Sequence, residues 1–380
     1  MPDPGTDVAV YVHWPYCARI CPYCDFNVVR DRGQTEQQAA LVEAILIDLE
    51  MQAGQTGPQR LASIFFGGGT PSLMRPGDVA RIIAAIRARF LATGPVEITL
   101  EANPTDAESA HFAALAEAGV NRLSLGVQSL DETELTFLGR NHGADEARRA
   151  ITLAGRAFDR LSIDLIHALP GQTPERWAEA LRDAVDLGFE HVSPSQLTIE
   201  PTTAFGRAFG RGTLVPPDED TAASLYETTQ SVLEAAGFEA YEVSNHARGE
   251  AARSAHNLHV WRGGDYLGLG PGAHGRLTLD GTRTATVAHR NIAAYVAGVS
   301  AGTPWAEVER MDPAAADEER VLLGLRTVEG VDRRVLERLG RGPALDGLID
   351  DGFLVQRDQR VVATGAGRPV LDALLRKLLT

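Results

Sequence analysis

The chain has very little lysine and no excess of positive charge. Of its 36 basic residues only Lys377 is a lysine, which all but excludes Schiff-base chemistry and a P-loop lysine. The formal net charge of -15 argues against broad binding to nucleic acid or anionic lipid, because such binding needs basic faces. We therefore expect no nucleic-acid partner, while a local basic patch leaves peripheral contact with a membrane open.

Long apolar runs are missing as well. No stretch of 18 or more apolar residues occurs, so no transmembrane segment is expected. Residues 1–7 lack both the basic region and the apolar core of a signal peptide, which predicts a cytoplasmic protein. With 380 residues and 44% hydrophobic content, the chain can bury a substantial core, and we expect one large domain and a smaller one.

Strand-like and helix-like segments alternate through the first half of the chain. Strands are predicted at 8–12, 61–66, 96–100, 122–125, 161–166 and 192–199. Helices are predicted between them at about 35–53, 78–91, 105–118, 131–158 and 174–187, the first with a capping box of Thr35 and Gln38. This alternation implies a parallel sheet, and we expect an α/β fold with a partial (β/α)6 barrel of the triosephosphate isomerase type.

The second half of the chain is less regular. Residues 247–255 are small and polar and predict a linker, and the stretch 331–380 has the helix and ribbon pattern of a winged helix. We therefore expect a core domain at 1–243 and a smaller α+β, winged-helix-like domain at 244–380. The acidity of the chain favours a structural or partner-binding role for the winged helix over contact with DNA.

All three cysteines stand together after the first predicted strand. Cys17, Cys21 and Cys24 form a C-x3-C-x2-C run that can wrap three thiolates around one 4Fe-4S cluster and leave one iron open. Two other interpretations stay open at this point. His13 or another histidine could complete a structural zinc site, or two of the cysteines could form a disulfide, which a reducing cytosol disfavours.

Polar and glycine residues follow the other predicted strands, at the barrel end where catalytic groups gather. These are the run Gly67-Gly68-Gly69-Thr70 after the second strand, Glu101 at the end of the third, Gln128 after the fourth and Asp164 within the fifth. Each has an ordinary alternative: a glycine turn that only connects two elements, an acidic residue at a helix start, or a surface polar group. All of them point to one mouth of the barrel.

The stretch from Tyr11 to Phe26 resembles the signature of the radical S-adenosylmethionine (SAM) superfamily. Its leading Tyr-Val-His and trailing Cys-Asp-Phe resemble the branch that contains anaerobic coproporphyrinogen III dehydrogenase and the HemW heme chaperones. The resemblance implies a radical SAM barrel whose cluster is held by Cys17, Cys21 and Cys24. An electron from such a cluster can release a 5'-deoxyadenosyl radical from SAM, and the protein then supplies ligands, orientation and shielding.

The same resemblance implies a set of contacts to SAM. The residues at the matching positions are Tyr11, Gly68, Gly69, Thr70, Glu101, Gln128, Arg140 and Asp164. Arg140 would pair with the carboxylate of the ligand, because a guanidinium offers two parallel donors. Tyr23 would pack near the adenine, with a core aromatic beside the loop as its alternative.

A second motif resembles one associated with heme binding in the HemW family. The run from His256 to Trp261 matches H-N-x-x-Y-W except that Val260 stands at the tyrosine position, so no phenol is present there. The resemblance implies that His256 ligates heme iron and that Trp261 stacks on the macrocycle, and His259, outside the matched positions, is an extra candidate ligand. The alternative is a pair of surface histidines in a loop.

Two functions known in this branch are possible for this sequence, that of the dehydrogenase and that of the heme chaperone. The dehydrogenase type carries a fourth cysteine two residues after the third and a longer N-terminal segment, whereas this sequence has Phe26 there and sixteen residues before Cys17. We therefore predict a heme chaperone that binds heme, a 4Fe-4S cluster and SAM and transfers heme to recipient hemoproteins, without dehydrogenase activity. The alternatives are oxygen-independent coproporphyrinogen III dehydrogenase and, less favoured, another radical SAM reaction such as methylation. A homodimer is left open.

Overall fold

The computed structural model describes residues 7–380. Residues 1–6, on which most of the signal-peptide prediction depends, lie outside the described residues. The strands are β1 (Asp7–Trp14), β2 (Tyr16–Cys17), β3 (Val29–Arg30), β4 (Arg60–Gly68), β5 (Glu97–Ala102), β6 (Arg122–Gln128), β7 (Arg160–His167), β8 (His191–Gln196), β9 (Glu239–Ala240), β10 (His246–Ala247), β11 (Asp265–Leu269), β12 (His274–Leu279), β13 (Thr282–Ala288), β14 (Trp305–Arg310), β15 (Val331–Asp332), β16 (Leu354–Arg357) and β17 (Arg360–Ala363).

The helices surround these strands. They are α1 (Thr35–Thr56), α2 (Pro76–Arg89), α3 (Asp106–Ser109), α4 (Phe112–Glu117), α5 (Glu132–Phe137), α6 (Ala144–Ala157), α7 (Pro174–Val185), α8 (Ala204–Gly210), α9 (Glu219–Ala235), α10 (Ala255–Trp261), α11 (Ile292–Ser300), α12 (Pro313–Gly324), α13 (Arg333–Arg338), α14 (Gly342–Asp350) and α15 (Leu371–Leu379). No helix within residues 7–380 is both long enough and apolar enough to cross a bilayer.

One sheet of twelve strands forms the body of the protein. The strands β1, β4, β5, β6, β7 and β8 are neighbours in this order and pair in parallel, which confirms the predicted α/β fold with six βα units. On the other side of β1, strand β11 adds in parallel and β12 to β14 continue the sheet in antiparallel pairs. The sheet thus extends beyond the six predicted strands on the side of β1.

The position of β1 between two parallel neighbours explains its composition. Val8, Val10 and Val12 are fully buried and belong to the main hydrophobic core. A strand paired on both edges and covered on both faces needs apolar side chains along its length, as parallel strands generally do. The chain therefore enters the sheet at its centre, and the cysteine loop leaves from there.

Several local expectations were wrong. The N-cap of α1 is Gln34, no side-chain capping bond forms there, and Thr35 is already helical, so the capping box does not exist. The helices predicted at 105–118 and 131–158 are each split in two, into α3 and α4 and into α5 and α6. Within the predicted linker at 247–255, Ser254 is fully buried and its amide donates to the hydroxyl of Tyr241 over 3.2 Å, whereas residues 248–251 are exposed.

Helix α10 is anchored by a buried carboxylate. The amides of Ala255 and His256 donate to the two carboxylate oxygens of Glu97, each over 3.0 Å, and Arg160 donates to Glu97 over 2.7 Å. Burial opposes ionisation, but Arg122, these amides and Arg160 together hold the pKa of Glu97 below its ordinary value. The charged side chain thus fixes the N-terminus of α10 against β5.

The C-terminal residues have a hydrophobic core of their own. It includes Val321, Leu336, Leu348 and Leu375, and the sheet β15-β17-β16 lies beside it. The predicted helices and ribbon of the winged helix are present, with β15 as a third strand. The boundary at 243/244 stays a prediction, since β11 to β14 after it continue the main sheet and pack in the main core.

Removing the charge of Glu97 should destabilise the whole protein. In Glu97→Gln the buried guanidiniums lose their counter-ion, and we expect the free energy of unfolding to fall by about 3 kcal/mol. Glu43→Gln, which breaks an exposed ion pair of 2.7 Å with Arg81, should change the stability far less, because solvent screens that pair. Urea unfolding followed by circular dichroism measures both, and equal midpoints for the two variants would contradict the anchoring role.

Candidate functional site

The C-terminal ends of the parallel strands enclose a small cavity of about 160 Å³. Of the residues predicted to hold the cluster or SAM, all but Tyr11 line it, namely Cys17, Cys21, Cys24, Tyr23, Gly68, Gly69, Thr70, Glu101, Gln128, Arg140 and Asp164. These residues come from segments far apart in the chain. The parallel sheet brings them to one edge, as barrels of this type do.

The cysteine loop is closed at its base by a short parallel pair. Strand β2, which ends at Cys17, pairs with β3, so residues 18–28 form a loop over the cavity. Within it the amide of Cys24 donates to the carbonyl oxygen of Cys21 over 3.2 Å. All three are free thiols, and burial raises the pKa of Cys17 to about 11. A nearby cation is therefore needed to hold that sulfur as a thiolate.

The three thiols border the same small cavity. An iron-sulfur cluster can use three such thiolates, because each binds a different iron and the fourth iron stays open. A structural zinc site would need a fourth ligand besides the three cysteines.

The glycine run is required by the close approach of the cysteine loop. A Cβ on Gly69 would lie 2.7 Å from the carbonyl oxygen of Tyr16 and 2.8 Å from that of Trp14. Gly68 has φ +106, and a Cβ there would lie 2.5 Å from the ring of His13. The run therefore packs directly against β1 and β2, and only glycine allows this contact.

Two carboxyl groups face the small cavity. The amide of Gly68 donates to Glu101 over 3.1 Å, and the hydroxyl of Ser124 lies 3.2 Å from both oxygens of Asp164. Burial and the charge of Asp164 raise the pKa of Glu101 to about 8, and burial raises that of Asp164 to about 6. At neutral pH Glu101 therefore tends to hold a proton, which it can donate to an acceptor on a ligand.

Arg140 joins the cysteine loop to the strand ends. Its Nη1 lies 3.2 Å from the Sγ of Cys21 and 3.3 Å from the hydroxyl of Tyr23, and its Nη2 donates to Asn103 over 2.5 Å and to the carbonyl oxygen of Gly126 over 2.7 Å. Only Nε is buried without a hydrogen-bond partner among the described residues. Pairing with a ligand carboxylate, as predicted, requires Nε or an exchange of one present partner.

Tyr23 and Gln128 both line the small cavity, Tyr23 with its ring packed against another aromatic ring and Gln128 with a left-handed backbone. The ring of Tyr23 packs 6.2 Å from that of Phe205, so it is a core aromatic and a cavity residue at once. Gln128 ends β6 in the left-handed region with φ 68. A residue other than glycine whose backbone is held in that region is strained, and such strain is often found at functional sites.

Sequence reasoning missed Asn103. Its Nδ2 donates to the hydroxyl of Thr70 over 3.1 Å while its Oδ1 accepts from Arg140, so it connects the glycine run with the arginine. It stands in Glu-Ala-Asn-Pro, directly after the predicted third strand, and this position was the available signal.

A larger cavity of about 710 Å³ adjoins the small one, and Phe26, Gly68 and Glu101 line both. Tyr11 lies here, donating to Nδ1 of His13 over 3.0 Å. A cavity of this size is in the range that binds cofactors and other small molecules. The cavity with the cysteines and the larger cavity therefore share a wall.

His256 lines the larger cavity as a buried residue of α10. Its Nδ1 lies 2.9 Å from the hydroxyl of Ser63, and its ring centroid lies 4.9 Å from that of Phe65. Burial lowers the pKa of His256 to about 3, so the imidazole is neutral. The alternative of two surface histidines in a loop is wrong, because the motif is helical and His256 is 7% exposed.

The structure does not bring His256, His259 and Trp261 together. Nε2 of His259 donates to the carbonyl oxygen of Asp265 over 2.8 Å, and Trp261 lines another cavity, with the guanidinium of Arg326 5.8 Å from its ring. Five residues along a helix turn the side chain by about 140°, so the two ends of the motif face apart. A pocket that uses all three side chains is not formed.

Comparisons with known proteins agree with this geometry. The family model for the radical SAM superfamily matches residues 11–184. The chain is 36% identical to the heme chaperone HemW of Mycobacterium tuberculosis, over 100% of this chain and 96% of that protein. It is 38% identical to radical S-adenosyl methionine domain-containing protein 1, mitochondrial, of Bos taurus, over 100% of this chain and 89% of that protein.

Among solved structures, coproporphyrinogen III oxidase (HemN) from Escherichia coli is similar over the whole chain. The TM-score is 0.82, and the match covers 100% of this chain and 91% of that chain. Because the sequences are only 21% identical, this likeness shows the fold alone.

The raised pKa of Glu101 predicts a pH-dependent stability in the absence of ligand. Between its ordinary value of 4.5 and its folded value of about 8, the folded state holds a proton that the unfolded state has lost. The stabilisation present at low pH is therefore lost as the pH rises through this window. Glu101→Gln should flatten this loss, as measured by urea unfolding at several pH values.

The matched control for this experiment is Glu117→Gln, an exposed residue at the end of α4. It should keep the slope of the wild type. A wild-type slope in Glu101→Gln would show that the carboxyl at this position titrates normally.

Proposed function

Since this chain belongs to the HemW family of the radical SAM superfamily, we propose that it is a heme chaperone. In this proposal it binds heme and passes it to recipient hemoproteins, and it carries a 4Fe-4S cluster and SAM beside the heme cavity. Support comes from similarity that extends over the full length of a HemW protein rather than over the radical SAM region alone. The proposed location is the cytoplasm.

The observation that carries the proposal is the pair of adjoining cavities. The smaller one, with the three cysteines, suits a cluster and its ligand, and the larger one of about 710 Å³ suits a flat cargo of the size of heme. Phe26 is 60% exposed and lines both. In a carrier, the cargo site must be reachable from solvent, because the cargo leaves again.

The residues that would hold the cluster are Cys17, Cys21 and Cys24. When bound, the cluster supplies an open iron and an electron for SAM chemistry. The protein groups around it have separate tasks. The glycine run offers backbone groups to the methionine part of SAM, and Glu101 and Asp164 offer hydrogen-bonding groups to the ribose. These ligand contacts are proposals that follow from the family.

The larger cavity gives the heme motif a narrower role than the sequence suggested. Of its three candidate residues, His256 is the one that lines the cavity. Its bond to Ser63 and its burial hold the ring in one position, and we propose that it forms part of the cavity wall. His259 and Trp261 then stabilise α10 and its surroundings.

Oxygen-independent coproporphyrinogen III dehydrogenase is the alternative function. It has weaker support, because the likeness to HemN is one of fold and Phe26 stands at the position of the fourth cysteine. We further propose that the six-stranded core at 1–243 and the region 244–380 act as two units. A homodimer and contact with a membrane surface stay predictions.

Purified protein should bind ferric heme saturably with a defined Soret band, because the cavity has room for one molecule. The measurement is an absorbance titration, with and without SAM. A parallel anaerobic assay offers coproporphyrinogen III, SAM and a reductant to the reconstituted protein. Absence of saturable heme binding would contradict the chaperone proposal, and formation of protoporphyrinogen IX would favour the dehydrogenase.

Each of Cys17→Ser, Cys21→Ser and Cys24→Ser should abolish the broad visible absorbance of the reconstituted cluster. No other cysteine exists in the chain to replace a lost ligand. Iron and sulfide analysis after anaerobic reconstitution measures the loss. Stoichiometric zinc without iron in the wild type would overturn the cluster assignment.

A further inference from the structure

The glycine stretch from Gly268 to Gly275 turns β11 back onto β12 and packs against β1. A Cβ on Gly268 would lie 2.1 Å from the carbonyl oxygen of His274, and a Cβ on Gly270, which has φ +102, would lie 2.4 Å from the carbonyl oxygen of His13. These glycines permit backbone contacts that no other residue allows. The result is that His274, the first residue of β12, is held on the wall of the larger cavity.

Three histidines line this cavity, and two of them are already engaged. His13 uses both ring nitrogens, since Nδ1 accepts from Tyr11 and Nε2 donates to the carbonyl oxygen of Asn27 over 2.9 Å. His256 is buried and bonded to Ser63. Among residues 7–380, no hydrogen bond is made to either ring nitrogen of His274, and this side chain is exposed at the cavity.

His274 also has the protonation state that iron ligation needs. Partial burial, with the nearby charges of Arg276 and Arg290, lowers the pKa of His274 below its ordinary value. The imidazole is therefore neutral at physiological pH and has a lone pair available for a metal. Neutral histidine is a common axial ligand of heme iron.

The surface around His274 suits a flat apolar molecule. In the antiparallel pairing, His274 lies opposite Val287, and Val287 lies opposite Glu307, so the three form a row across β12, β13 and β14. Tyr266 and Val260 line the same cavity. The macrocycle of heme can cover the side chains of Val260, Tyr266 and Val287 while its iron meets the ring of His274.

One cation stands at this cavity. Arg290 is the only arginine or lysine among the described residues that line it, and within residues 7–380 its guanidinium has no carboxylate partner. Its backbone is fixed, because Nδ2 of Asn27 donates to the carbonyl oxygen of Arg290 over 2.9 Å. Asp25 and Glu307 also line the cavity and repel a carboxylate, so a heme propionate has one favourable partner there.

We propose that His274 is the axial ligand of heme in the larger cavity and that Arg290 pairs with a heme propionate. This assignment rests on the proposed function, because it names the residues that hold the cargo. In this assignment the glycine stretch positions His274 for ligation, and His256 is part of the cavity wall without binding iron.

The experiment titrates full-length protein with ferric heme and records the Soret band and the electron paramagnetic resonance spectrum. His274→Ala should lose the spectrum of a histidine-ligated heme, and added imidazole should restore it by filling the vacant ligand position. His274→Met should give a shifted spectrum, since sulfur replaces nitrogen on the iron. His111→Ala, an exposed histidine outside the cavity, is the matched control and should behave as wild type.

The role of Arg290 is tested with heme and with heme dimethyl ester, which carries no propionate charge. Arg290→Ala should weaken binding of heme roughly tenfold or more, the loss expected for one charge-assisted hydrogen bond. It should leave binding of the ester unchanged. Arg87→Ala, an exposed arginine outside the cavity, controls for a general loss of charge.

The outcomes separate the two proposals. Wild-type protein that fails to bind heme saturably overturns the proposed function. Wild-type binding with an unchanged spectrum in His274→Ala overturns the ligand assignment and leaves the chaperone proposal standing, and loss of the spectrum in His256→Ala alone would move the ligand to that residue. Equal weakening of heme and ester by Arg290→Ala overturns the propionate contact.

Discussion

The buried carboxylate of Glu97 joins the two halves of this protein. It receives hydrogen bonds from the start of α10 and from Arg160, and it is paired with Arg122 at 4.0 Å. A charge in such a place is stable only when its partners are complete, so the segment around Ser254 is held to β5. Helix α10 is followed along the chain by β11, which pairs in parallel with β1 and begins the extension of the sheet.

A second contact couples the cysteine loop to the cavity beside it. The side-chain amide nitrogen Nδ2 of Asn27 donates to the carbonyl oxygens of Pro271 and Arg290 over 2.8 and 2.9 Å, and the backbone carbonyl oxygen of Asn27 accepts from Nε2 of His13. A Cβ on Gly272 would lie 2.5 Å from the same amide nitrogen. The loop that carries the thiols and the wall of the larger cavity therefore share one residue and cannot move independently.

Expectations from the sequence held where they depended on neighbours along the chain. The six parallel strands were predicted because their apolar runs, such as Val8 to Val12, alternate with helical patterns. Capping at Thr35 failed because the chain enters α1 from a turn at Gly33, whose carbonyl oxygen accepts from the amide of Thr35. The capping-box pattern of Thr35 and Gln38 does not include Gly33, so it could not show that this preceding residue accepts the hydrogen bond from Thr35.

The heme motif shows the same limit more clearly. The residues from His256 to Trp261 were read as one site because they are adjacent in sequence. In the fold they occupy a short helix whose two ends face different cavities. His274 stands in the glycine stretch that follows the motif and was not predicted as a ligand; it lies on the larger cavity because β12 pairs with β11 and β13, and β11 pairs in parallel with β1.

The sequence by itself determined the cysteine spacing, the parallel α/β core and the strand ends at which polar residues gather, because these depend on local pattern and on the general geometry of βα units. Only the tertiary structure decided which histidines line the larger cavity, which arginine stands there and that Ser254, in the segment predicted as a linker, is buried. Those properties arise from contacts between segments far apart in the chain, such as Ser63 with His256 and Asn27 with Arg290, and no local pattern encodes them.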